Sequence, residues 1–133
     1  MSVFTPAEIE YLTSQRIGRI ATVNAEGQPH VVPARFHYNP ELDTIEVGGH
    51  GMGTSKKFRD AARTGRVAFV IDDVSQPRQV RGLEIRGRAE ALTTGGNEIW
   101  PDVDPQFIRI TPTYIASWGI DSDWSNPTGR AVK

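Results

Sequence analysis

From Leu83 to Ala91 the chain alternates with a period of two. Leu83, Ile85, Gly87, Ala89 and Ala91 are apolar or small, while Glu84, Arg86, Arg88 and Glu90 are charged. Successive side chains on a strand point to opposite faces, so this segment is a strand with one face in a core and the other charged. Such a strand needs partners, and the rest of the chain supplies them. Residues 17–23 and 30–38 read as strands joined by the turn Asn24-Ala25-Glu26-Gly27, and Asn39-Pro40-Glu41-Leu42-Asp43 leads into a third at residues 44–49. Residues 66–72 carry Val67, Ala68, Phe69, Val70 and Ile71 in succession, the pattern of a strand buried on both faces. Residues 107–118 form the last strand, where Pro112 confines part of the segment to an edge or a bulge. Short turns between strands favour antiparallel pairing, and closing the sheet removes its exposed edges. The expected fold is mainly β (α+β): a six-stranded antiparallel barrel with helical covers. It forms one domain over residues 1–133, with the polar tail after about residue 121 peripheral and poorly ordered.

Two helices complete the pattern. Thr5-Pro6-Ala7-Glu8 supplies an N-cap, a proline in the first turn and the Glu of a capping box; Phe4 and Ile9 are spaced as a hydrophobic staple, and Ile9 and Leu12 face the core. The second helix follows Gly48-Gly49-His50-Gly51-Met52-Gly53 and runs from Thr54 or Ser55, either a natural N-cap, to about Thr64, with Phe58, Ala61 and Ala62 buried. Its first turn breaks a rule. A helix N-terminus carries partial positive charge and favours Asp or Glu, yet this one carries Lys56 and Lys57. Either both lysines point into solvent, at a dipole penalty of about 0.3–1 kcal/mol each, or an external anion, most simply a phosphate, sits there. The glycine spacing matches neither a Walker A loop nor a dinucleotide fingerprint.

Other chemistry is scarce. The net charge of −1 argues against a general nucleic-acid or membrane-surface binder. No apolar run approaches the ~20 residues of a membrane span, and the N-terminus lacks a basic-then-apolar signal pattern. The absence of cysteine excludes disulfides, thiol chemistry and cysteine metal sites, and fits a cytoplasmic protein. His30 and His37 fall on opposite faces of one strand and cannot share a metal from it, so no metal site is expected. No G-x-S-x-G elbow exists, and Asp72 and Asp73 read as flanking a turn. An enzyme built this way relies on a bound cofactor for its reactivity. On the strand from His30 to Tyr38, Val32, Ala34, Phe36 and Tyr38 make an apolar face; Val31, Pro33, Arg35 and His37 occupy the other. Pro33 leaves a position without a backbone donor, suited to an edge or to a flat ring. Arg35 is either a second anion contact or a solvated arginine. Trp100 either caps a pocket or plugs the barrel end, and Trp118 suits a dimer interface or a pocket wall.

Ile20-Ala21-Thr22-Val23, Gly27-x-Pro29-His30-Val31-Val32-Pro33, Ser55-Lys56-Lys57-Phe58-Arg59-Asp60 and Arg66-Val67-Ala68-Phe69, in this order, resemble the pyridoxamine 5′-phosphate oxidase-like split β-barrels of the FMN-binding type. Glu84-Ile85-Arg86-Gly87-Arg88-Ala89 and Ile115-x-x-Trp118-Gly119 are most similar to the subgroup that uses the deazaflavin coenzyme F420. The resemblance implies a homodimer with cofactor sites at the interface. It carries phosphate binding onto Ser55 and Lys57, with Lys56 the next candidate, and lays the ring system along Val31, Val32 and Pro33. Arg35, Gly49, His50 and Trp118 complete the expected cofactor site. The Arg-x-Val-Leu-Leu-Lys segment of the true oxidases is absent, its region being occupied by residues 30–35. The implied function is an F420-dependent oxidoreductase transferring a hydride between the deazaflavin and a small organic substrate; an FMN-dependent oxidase or reductase and a non-catalytic cofactor-binding protein are the alternatives. No catalytic residue declares itself; solvent or a nearby side chain supplies the proton, with His50 and Tyr114 as candidates.

Overall fold

A computed structural model describes residues 1–133. Helix α1 (Pro6–Ser14) is followed by strands β1 (Ile17–Val23), β2 (Pro29–Asn39) and β3 (Thr44–Gly48). A short 3-10 turn (Met52–Thr54) leads into α2 (Lys56–Thr64), then β4 (Arg66–Gln76), β5 (Gln79–Leu92), a one-turn helix α3 (Gly96–Ile99), β6 (Phe107–Trp118) and β7 (Thr128–Ala131). The strands run in the order β3-β2-β1-β4-β5-β6, all antiparallel, and pairing of β3 with β6 closes the barrel.

The turns form where side chains can replace backbone partners. Asn24 Oδ1 accepts the N–H groups of Glu26 and Gln28, and Gly27 adopts φ 84°. Asn39 Oδ1 does the same for Glu41 and Leu42, and the Asp43 carboxylate beyond it accepts from Ser2, Val3 N–H and Tyr38, tying down the N-terminus.

The interior is filled by Ile20, Phe36, Ile45, Val47, Phe69, Ile71, Leu83, Ile85, Ile108, Ile110 and Ile115, nearly all without exposed surface. Each buried side chain of this size stabilises by about 1.5–3 kcal/mol. Helix α1 adds Tyr11 and Leu12 to the same cluster, and Phe4 joins it from just before the helix cap. Its capping box forms as expected: Thr5 Oγ1 accepts from Glu8 N–H, and Glu8 Oε1 accepts from Thr5 N–H.

Several expectations change. Strand β4 is not buried on both faces: Val67, Phe69 and Ile71 point inward, while Ala68 and Val70 lie half-buried on the outer wall. Asp72 and Asp73 sit within that strand rather than at a turn, Asp72 bonded to Arg19 and Asp73 to Arg81. On α2 it is Asp60, not Ala62, that joins Ala61 in being buried. The tail is not loose, because β7 adds a seventh strand beside β6, pairing Tyr114–Ser117 with Ala131–Thr128.

Pro112 explains how β6 serves two neighbours. Its first half pairs with β3 at Ile108–Ile110, and its second half pairs with β7 from Tyr114 onward. The register against β5 slips between these halves, with Arg86 opposite Tyr114 and Gly87 opposite Pro112. A residue with no N–H to donate therefore sits at the bulge where the strand changes partner.

Candidate functional site

The glycine loop after β3 turns sharply at Gly51, whose φ of 67° favours glycine, and is anchored by the fully buried Met52. Ser55, not Thr54, is the N-cap of α2: its Oγ donates to the Met52 carbonyl (2.7 Å) and accepts from Phe58 N–H (3.3 Å). The N–H groups of Lys56 and Lys57 belong to the first turn, which has no intrahelical acceptor.

The helix sends its two lysines to different places. Lys57 shares the α2 face of Ala61, which packs towards β1 and β5, and is half-buried. Burial depresses its pKa below the ordinary lysine value, and no carboxylate pairs with it. Lys56 is exposed and lines an open cleft of about 440 Å³ with Arg59, Asp60 and Arg63 from the same helix face and with Asn24, Glu26, Gln28 and His30 from the β1–β2 hairpin. Arg63 donates to the Val23 carbonyl and holds the helix to the hairpin. Asp60 is 4% exposed and its carboxylate accepts no hydrogen bond; His30 Nδ1 is buried without a partner. Arg59, Arg63, Asp60 and His30 were not expected here, although the spacing 56, 59, 60, 63 marks one helical face in the sequence itself.

Strand β2 presents Val31, Pro33, Arg35 and His37 outward, as the alternation predicts. The side chain of Val32 points inward and packs on the core, leaving only its backbone on the outer wall. Val31 is 63% exposed and opens onto an apolar depression of about 280 Å³ with Ala21, Ala68, Val70 and Trp118, edged by Arg19 and Glu84. Trp118 reaches this position because Gly82 lies opposite it on β5; a Cβ there would stand 2.0 Å from the indole.

Arg35 and His50 form a separate group. The Arg35 guanidinium lies 5.3 Å over the Trp100 ring and 3.6 Å from Asp102, whose second oxygen is 4.0 Å from His50 Nε2. Trp100 does not plug the barrel end. It lies on the outer wall against Gly48, where a Cβ would be 2.5 Å from the ring, and edge-on to His37. Gly49 accepts a long bond from Asp104 N–H (3.4 Å). Of the proton-donor candidates, His50 is largely exposed, while Tyr114 lies under the Arg86 guanidinium (4.5 Å) with its hydroxyl packed against Gly129 of β7.

The expected residues thus collect in three places along the outer wall: a cationic helix terminus and cleft, an apolar strip, and an Arg–Trp–Asp–His group. Residues 4–119 match the pyridoxamine 5′-phosphate oxidase family. The chain belongs to that family. It is 50% identical over 124 residues to the 5a,11a-dehydrotetracycline/5a,11a-dehydrooxytetracycline reductase of Streptomyces rimosus, covering 92% of this chain and 87% of the relative. Among solved structures, a FAD-binding protein from Mesorhizobium loti superposes with TM-score 0.65 at 22% identity, over 86% of this chain and 94% of that one. A conserved hypothetical protein from Mycobacterium tuberculosis superposes with TM-score 0.68 at 21% identity, over 88% and 86%. These structural neighbours carry the barrel fold.

Proposed function

We propose that the protein is a reductase that uses a phosphate-bearing deazaflavin, F420, to add a hydride to an unsaturated carbon of a small organic substrate. The observation that carries this reading is Lys57: a half-buried ammonium without a carboxylate partner, at a helix terminus whose own N–H groups also seek an anion. A phosphate fits there. The flat ring fits the outward strip of Val31 and Pro33, and the reductase relative supports reduction rather than oxidation.

When bound, the deazaflavin supplies the hydride. The chain's residues bind and orient. Lys57 on one side of the helix terminus, and Lys56 with Arg59 at the cleft on the other, would hold the anionic end; Val31, Pro33 and Trp118 would give an apolar wall that orients the ring and excludes water. His50 is the accessible group for delivering a proton, since Tyr114 is covered. The apolar depression of Ala21, Val31, Ala68, Val70 and Trp118 would pair with its copy in a homodimer.

Titration of the purified protein with F420 and, in parallel, FMN tests the reading. Preferential binding of F420 at micromolar or tighter affinity, followed by turnover of an unsaturated carbonyl substrate, is the expected result. Preference for FMN moves the protein to the flavin-dependent alternative, and binding of neither overturns the cofactor reading.

A further inference from the structure

The loop joining β5 to β6 (residues 93–106) crosses the outer wall beside the Gly49–Gly53 segment and bonds mainly to itself. Gly96 N–H donates to Pro105 O, Trp100 N–H to Gly96 O and Val103 N–H to Trp100 O, whereas its backbone tie to the glycine loop is the single 3.4 Å bond from Asp104 to Gly49. It starts at Gly95, whose φ of 112° a residue with a Cβ rarely adopts. What holds it down is mostly side chain: Trp100 on Gly48, Gln106 over Gly53, and Asp102 between Arg35 and His50.

Asp102 is placed as an anion would be placed. Its two oxygens face two different cationic or protonatable groups, Arg35 at 3.6 Å and His50 at 4.0 Å, both beyond direct hydrogen-bond distance. Its side chain is 66% exposed, while the packing of Trp100 and Val103 holds the backbone on either side. Arg35 points outward on the same strand face as Val31 and Pro33. We propose that Asp102 is a built-in competitor: its carboxylate occupies Arg35 and His50 until an anionic group of the incoming ligand displaces it, and the β5–β6 loop then lifts or re-seats about Gly95. The inference rests on the cofactor reading above, in that the displacing group belongs to a ligand lying along β2. It goes beyond that reading by making the loop a selective element, which favours ligands whose negative charge can outbid a single exposed carboxylate.

Exposed pairs of this kind are weak, so the competition is reversible and its removal has a bounded effect. Affinities for F420 and for FMN are measured by titration for the wild type, for Asp102→Asn and for Asp102→Asn combined with Arg35→Gln, with thermal midpoints as a check on folding. Asp102→Asn is expected to tighten binding of the preferred cofactor about 3- to 5-fold, and the added Arg35→Gln to abolish that gain. Unchanged or weaker binding by Asp102→Asn, against a wild type that binds, overturns the competition alone. A gain that survives Arg35→Gln overturns Arg35 as the contested group. Binding of neither cofactor by any of the three proteins overturns the cofactor reading and the competition together.

Discussion

Arg130, on the last strand β7, holds Glu8 of α1 through both carboxylate oxygens, Nη2 to Oε1 at 2.6 Å and Nη1 to Oε2 at 3.1 Å. Glu8 has no exposed surface, and the same Oε1 also accepts the Thr5 N–H that begins the helix. The last strand and the first helix are therefore one structural unit, with Arg130 also donating to the Val3 carbonyl. Removing Arg130, itself 36% exposed, leaves the Glu8 charge buried and unpaired, which costs about 3–5 kcal/mol. Arg130→Ala is expected to lower the urea midpoint accordingly. Glu8→Ala should cost a similar amount, since it loses the capping box as well as the pair.

Lys57→Ala is expected to weaken cofactor binding roughly 10- to 100-fold, the equivalent of one charge-assisted contact, with little change in thermal midpoint. Lys56→Ala should have the smaller effect because its ammonium is solvated at the cleft. Calorimetric titration against F420 or FMN, with far-UV circular dichroism as the folding check, measures both.

The same lysine predicts a pH dependence. Burial lowers its pKa below the ordinary 10.5, and a bound anion would restore it. Binding should therefore take up a proton on the alkaline side, and affinity should fall as pH rises through the depressed value in the free protein. Lys57→Arg, charged throughout that range, should flatten the profile; affinity measured across pH 7–10 in matched ionic strength decides it.

Asp73 accepts from Arg81 and from Tyr11, and the Arg81 hydrogen bond holds its carboxyl below the usual range against the opposing effect of burial. A group depressed in the folded state adds stability above its unfolded pKa and loses it as pH falls through the folded one. The Tyr11 hydroxyl has the opposite sense, its pKa being raised by burial and by Asp73, so it adds stability that is lost as pH rises beyond the ordinary tyrosine range. Asp73→Asn should reduce the loss of stability below about pH 4, seen as a flatter denaturant midpoint against pH.

Gly82→Ala should expel the Trp118 indole, since a Cβ at that position lies well inside contact distance of three indole atoms. The expected readout is a red-shifted tryptophan emission together with weaker self-association by analytical ultracentrifugation. An unchanged sedimentation profile would remove Trp118 from the subunit interface.

Much of this molecule is written locally. Period-two alternation in residues 83–91, the Asn24 and Asn39 turns, the Thr5 capping box, the Ser55 helix start and the Pro112 bulge each depend on residues within a few positions of one another, and all are present as the sequence implies. The unusual first turn of α2, with two lysines and no acid, is legible for the same reason, because it lies within the helix start itself. What tertiary structure alone decided depends on partners far away in the chain. Polar residues 128–131 have no apolar pattern to mark a strand; they form one because β6 leaves an edge free beyond Pro112 and because Glu8 offers Arg130 a buried counter-charge. Likewise only the closed barrel could bring Asp102 across 67 positions to Arg35. Such long-range pairings carry no local signature, since each is fixed by the geometry of the closed sheet rather than by the preference of its neighbours.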